Sequence, residues 1–86
     1  MQVLRKRQFE KRVSRLPAGI RRALVERLRL FMADPQNPLL NNHPLRGEWT
    51  GFRSINVTGD WRLIYEMVGD AIVLTDIDTH HNLYGT

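Results

Sequence analysis

The side chains most able to do chemistry in this 86-residue chain are His43, His80 and His81, with Arg53 and Arg62 between them in sequence. Histidine gives and takes a proton near neutral pH. Arginine keeps its charge and grips phosphate through two parallel donors. Together these groups meet the needs of metal-free RNA cleavage. A base draws the proton from a 2′-hydroxyl, an acid protonates the departing 5′-oxygen, and a cation stabilises the crowded anionic phosphorane. His43, His80 or His81, with Arg53 or Arg62, supply each role. Ordinary surface histidines fit the same composition, so the case turns on where the chain puts them.

Metal chemistry is the competitor. Asp76, Asp78 and His80 alternate in sequence and would project from one side of a strand. His80 and His81 would then point apart and could not share an ion. The set has no recognised ligand spacing, and the chain has no cysteine. No metal and no cofactor are expected. Neither a glycine-rich phosphate loop nor a Ser/His/Asp order is present. Trp49, Trp61 and Tyr65 read as core aromatics, whereas Tyr84, close behind the histidines, is suited to RNA contact.

The elements that must hold these groups are legible from periodicity. Val3 and Leu4 open a short apolar run that suits an edge strand. Phe9, Val13 and Leu16 follow at helical spacing, then Pro17 and Gly19 break the pattern. Ile20, Leu24, Leu28 and Phe31 recur at helical spacing, widened by Ala23 and Val25, which predicts a helix from about Pro17 to Ala33, stopped by Asp34-Pro35. Residues 34–44 form a loop rich in proline and asparagine. The period then becomes strand-like in GFRSINV, DWRLIYEMV and AIVLTDID, with Thr58-Gly59 and Gly69-Asp70 at the gaps. The expected fold is α+β. A helical hairpin packs on one face of a small, mainly antiparallel sheet of three to four strands, as a single domain over residues 1–86.

If Thr58-Gly59 is a two-residue turn, Ile55 opposes Arg62 and Arg53 opposes Ile64. One face then carries Arg53, Ile55, Val57, Asp60, Arg62 and Ile64. The other carries Phe52, Ser54, Trp61, Leu63 and Tyr65, and is the better candidate to meet the helices.

Composition narrows the setting. Up to Leu30, ten Lys or Arg stand against Glu10 and Glu26; from Phe31 onward, three arginines stand against seven acids. A polyanion or an acidic protein suits the basic half, and so does a plain solvated helix face. No stretch approaches the roughly 18 apolar residues of a membrane span, and the N-terminus lacks the apolar run of a secretory signal. A cytoplasmic protein without membrane contact is expected.

The run HPLRGEWTGFR, then DWRLIYE, then THHNLYG resembles the YafQ-like toxins of the RelE/ParE superfamily. The resemblance extends along the whole chain and is most specific from His43 onward. It implies an mRNA interferase: a toxin that cleaves mRNA in the ribosomal A site and is neutralised by a cognate antitoxin in a hetero-oligomer. It matches His43, Asp60, Trp61, His80 and Tyr84 to family positions. With the reading of residue types, the expected catalytic set is His43, Asp60, Arg62, His80 and Tyr84. The expected substrate contacts are Arg53, Asn56, Trp61 and His81, of which His81 has no counterpart in the family. Arg62 matches an arginine of the related YoeB-like branch. The chain departs from the family at Asn56, where YafQ-like toxins have histidine, and at Gly59, where they have proline. Asparagine cannot exchange a proton in catalysis, so either His81 compensates or the reaction is slower. Alternation also puts Asn56 and Asp60 on opposite faces, whereas the family gathers both at one site; a bulge or a longer loop near Gly59 would reconcile the two. A non-catalytic ParE-like toxin that inhibits DNA gyrase is the alternative, although ParE-like chains lack the concentrated histidines. A basic RNA-binding module without turnover is the third reading.

Overall fold

The computed structural model describes residues 2–85. Strand β1 (Gln2–Arg5) leads into helix α1 (Arg7–Ser14) and helix α2 (Ala18–Ala33). A bridge strand β2 (His43–Pro44), strands β3 (Arg53–Asn56), β4 (Trp61–Val68) and β5 (Ala71–Thr79), and a short helix α3 (His80–Tyr84) complete the chain. The sheet has five strands in the order β1-β5-β4-β3-β2, more than the three to four expected. The edge strand at Val3-Leu4 is β1, and β2 is the addition. β1 pairs with β5 in parallel, and His43-Pro44 forms a minimal antiparallel pair with Arg53 and Ser54.

The helices behave as their spacing requires. Phe9 and Leu16 around α1, and Leu24 and Phe31 of α2, are buried, with Val13, Ile20, Ala23 and Leu28 packed beside them. Val25, which spacing adds to the stripe, is exposed. α2 ends where Pro35 disfavours helical backbone at Asp34. Against the helices lie Ile55, Val57, Leu63, Tyr65, Ile72, Leu74 and Ile77 of the sheet, and Leu40 from the loop that precedes it. Phe31 meets Tyr65 edge to face, with ring centroids 5.1 Å apart.

The register of the first hairpin corrects the expected one. Arg53 opposes Tyr65, Ile55 opposes Leu63, and Asn56 opposes Arg62. The cause is a loop one residue longer, Thr58 to Asp60, across which the Val57 N–H donates to the Trp61 carbonyl at 2.9 Å. Thr58 Oγ1 closes it by accepting from the Asp60 and Trp61 N–H groups. A slip of one residue sends side chains to the opposite face. Ile55 and Val57 therefore join the core, and Arg53 and Arg62 part company: Arg62 shares its face with Asn56, Ser54 and Ile64. The second hairpin turns through Gly69-Asp70 as expected, with Gly69 at φ 58°. Between Ile64 and Tyr65 the β4–β5 ladder shifts, leaving Thr75 as the extra residue of a bulge.

Candidate active site

The segment before the sheet is anchored rather than loose. Leu40 is wholly buried. Asn42 Oδ1 accepts from Tyr65 Oη–H at 2.8 Å and from Arg53 Nε–H at 3.0 Å, while its Nδ2 donates to the Pro35 carbonyl. Asn41 takes a left-handed backbone, φ 45°, a conformation that asparagine tolerates better than most residues. Its carbonyl is thereby offered to His43 Nδ1, 2.7 Å away. A carbonyl can only accept, so Nδ1 carries the proton. In neutral His43 the basic lone pair therefore lies on Nε2.

At the other end of the sheet, Thr79 caps α3 by accepting from the Asn82 N–H. The His80 N–H donates to the Asp60 carbonyl at 2.8 Å, which ties α3 to the Thr58–Asp60 loop. Within α3 the rings of His80 and Tyr84, one helical turn apart, meet at 4.7 Å and 71°. Arg62 directs its Nη1 to the carbonyls of Thr58, Gly59 and Trp61 at 3.1–3.2 Å. These bonds orient the guanidinium, and among the described residues they leave its Nε and Nη2 donors to meet an anion.

Asn41, His43, Leu45, Arg62, His80 and Tyr84 line one cleft of about 330 Å³. Three chain segments thus converge, and two imidazoles, a guanidinium and a phenol share one solvent-accessible hollow. A phosphodiester fits this chemistry: two groups able to exchange protons share the cleft with an oriented cation. The Tyr84 hydroxyl is buried without a hydrogen-bond partner among the described residues.

The other residues singled out from the sequence lie outside that lining. Asn56 is half-buried and opposed to Arg62. Asp60 has an exposed side chain and meets His80 through its backbone carbonyl. Trp61 packs against the hydrophobic core, and Arg53 serves the Asn42 clamp. His81 is exposed on α3. The strand that would have aligned Asp76, Asp78 and His80 ends at Thr79, so His80 belongs to a helix and the three do not converge. Among the described residues no group of three or more metal-ligating side chains is assembled. Asn41, Asn42 and Leu45 were not anticipated. The paired asparagines directly before His43-Pro44 were the available signal, since asparagine is suited both to left-handed backbone and to bonding neighbouring main chain.

A model of the family described as bacterial toxin of type II toxin-antitoxin system, YafQ, matches residues 1–85. The mRNA interferase toxin YafQ of Escherichia coli is 35% identical over 51 residues, which cover 59% of this chain and 55% of that protein. The match thus spans about half the length of this curated relative. Among solved structures, the crystal structure of YafQ from E. coli has a TM-score of 0.79 at 27% identity, covering 98% of each chain. In the E. coli DinJ–YafQ complex, the matched chain gives a TM-score of 0.72 at 26% identity, again covering 98% of each.

Proposed function

The chain belongs to the YafQ family of bacterial type II toxins, and on that premise we propose that it is a ribosome-dependent endoribonuclease that cleaves mRNA in the A site. The observation that carries the proposal is the cleft in which His43, Arg62, His80 and Tyr84 meet. One imidazole takes the proton of a 2′-hydroxyl; the 2′-oxygen bonds to phosphorus as the bond from phosphorus to the 5′-oxygen breaks. The other imidazole, protonated at the start, gives its proton to the 5′-oxygen. The products are a 2′,3′-cyclic phosphate and a 5′-hydroxyl, and the two histidines end with their protonation exchanged. His43 suits the base role, because its Nδ1–H is committed to Asn41 and Nε2 is left basic. His80 suits the acid role, and Arg62 holds the phosphorane charge. No step calls on a metal ion or cofactor.

The relative's structure in complex with DinJ supports a cognate antitoxin as the partner that holds this toxin inactive in a hetero-oligomer. The cleft's economy supports ribosome dependence: with few side chains lining it, the cleft offers little to grip free RNA, a task that a ribosome presenting the message would take over.

Purified toxin added to a reconstituted translation reaction should cut mRNA that is being read and spare the same mRNA without ribosomes. Prior dialysis of the toxin against EDTA should leave the rate unchanged. Equal cutting of naked mRNA would remove the ribosome from the proposal, and activity that returns only with zinc or manganese would demand a metal. Gyrase inhibition without cleavage would replace the nuclease with a ParE-like binding toxin.

A further inference from the structure

Arg62 has an acid directly across the β4–β5 ladder, Asp78. Opposed residues in an antiparallel pair have Cβ atoms about 5 Å apart, near enough for a guanidinium and a carboxylate to join. These two do not. Asp78 Oδ2 accepts from Arg12 Nη1 at 2.8 Å, and its Oδ1 accepts from the Thr79 N–H at 2.8 Å and from Asn82 Nδ2 at 2.9 Å. The second buried acid of β5, Asp76, lies 3.4 Å from Arg12 Nε and accepts from Gln8 Nε2 and the Ile77 N–H. A single guanidinium from α1 spans both carboxylates. Its side chain is 47% exposed, whereas those of Asp76 and Asp78 are 6% and 9% exposed.

We infer that Arg12 is a positioning residue for RNA cleavage: by occupying Asp78 it keeps that carboxylate away from Arg62, whose charge is thereby left for the substrate phosphate. The inference rests on the proposed reading of the cleft as a phosphodiester site. A buried carboxylate deprived of its cation demands another, and Arg62 is the cation across the ladder. Once joined to Asp78, Arg62 would have its charge offset and its bidentate edge engaged, so a phosphate would have to compete for it. Asp76 is less well placed to act in this way, because it opposes Ile64 and stands only diagonally from Arg62. Asparagine at position 78 still offers a carbonyl to the Thr79 N–H but carries no charge to offset Arg62.

The test uses full-length toxin in ribosome-dependent mRNA cleavage. Arg12→Gln should lower the rate about 10- to 100-fold, part of the loss expected for deleting a transition-state contact. Adding Asp78→Asn to Arg12→Gln should bring activity back to within about threefold of the wild type, a coupling expected of neighbouring charges. Adding Asp76→Asn instead should leave it low. A structural tie between α1 and β5 predicts no such difference between the two doubles. Equal activity of the doubles, or full activity of Arg12→Gln, overturns the inference. Should Arg12→Gln lose its helical circular dichroism, the doubles are compared directly with each other, and unfolding of both also overturns it. If Arg62→Ala still cleaves, the cleft reading itself fails; if Arg62→Ala is inactive and Asp78→Asn rescues nothing, only the role of Arg12 does.

Discussion

Asn56 stands directly across the β3–β4 ladder from Arg62, and its side-chain Oδ1 is buried without a hydrogen-bond partner among the described residues. By the resemblance in sequence, this is the position at which YafQ-like toxins carry histidine. The longer Thr58–Asp60 loop turns Asn56 to the face of Arg62, whereas Asp60, which the resemblance gathers with Asn56 at one site, stays in that loop with an exposed side chain. We expect Asn56→His to add a proton-exchanging group beside the cleft and raise cleavage at least about tenfold, a small part of what a positioned acid or base contributes. A rate unchanged in the ribosome assay would mean that position 56 does not reach the substrate.

His80→Ala and Arg62→Ala should each abolish toxicity in cells. The first removes a proton-transfer group, typically worth about 10²–10⁴-fold in rate. The second removes a charge contact worth about 3–4 kcal/mol in the transition state. Neither side chain is in the hydrophobic core, so circular dichroism and antitoxin binding should match the wild type. His81→Ala, at an exposed position on α3, should remain toxic. Full toxicity of His80→Ala would exclude His80 from the mechanism.

The Asn41 carbonyl dictates the His43 tautomer. Nitrogen-15 NMR of the neutral protein should find the proton on Nδ1 of His43. Asn41→Gly, which tolerates the left-handed backbone, should keep that tautomer. Asn41→Val, whose branched side chain opposes φ near 45°, should shift it and slow cleavage. A wild-type ring protonated mainly on Nε2 would contradict this geometry and the base role built on it.

Asn42→Ala should be costly for stability although it changes no group in the cleft. It deletes the acceptor for Tyr65 Oη–H, and Tyr65 is only 2% exposed. An unsatisfied buried hydroxyl costs about 1–3 kcal/mol, so the urea midpoint should fall accordingly. Cleavage should fall as well, because the clamp seats the residue next to His43. An unchanged midpoint would show that Asn42 bears no weight.

Much of the molecule was determined by local chemistry that a sequence exposes. The stripe of Ile20, Leu24, Leu28 and Phe31 makes α2, and Asp34-Pro35 ends it, because helical periodicity and proline sterics act within a few residues. The three main strands and the Gly69-Asp70 turn follow for the same reason. His43 and Tyr84 were recognisable by type and place, while the resemblance chose Arg62 over Arg53 and His80 over His81. Tertiary structure decided how they meet. One additional residue in the Thr58–Asp60 loop placed Arg62 with Asn56 and drew Arg53 into the Asn42 clamp, since a strand's side chains change face with every residue. The parallel pairing of β1 with β5, the bond of the His80 N–H to the Asp60 carbonyl and the capture of Asp78 by Arg12 all join residues distant in the chain. Periodicity reports which face of an element is apolar, but not which distant partner will come to lie against it.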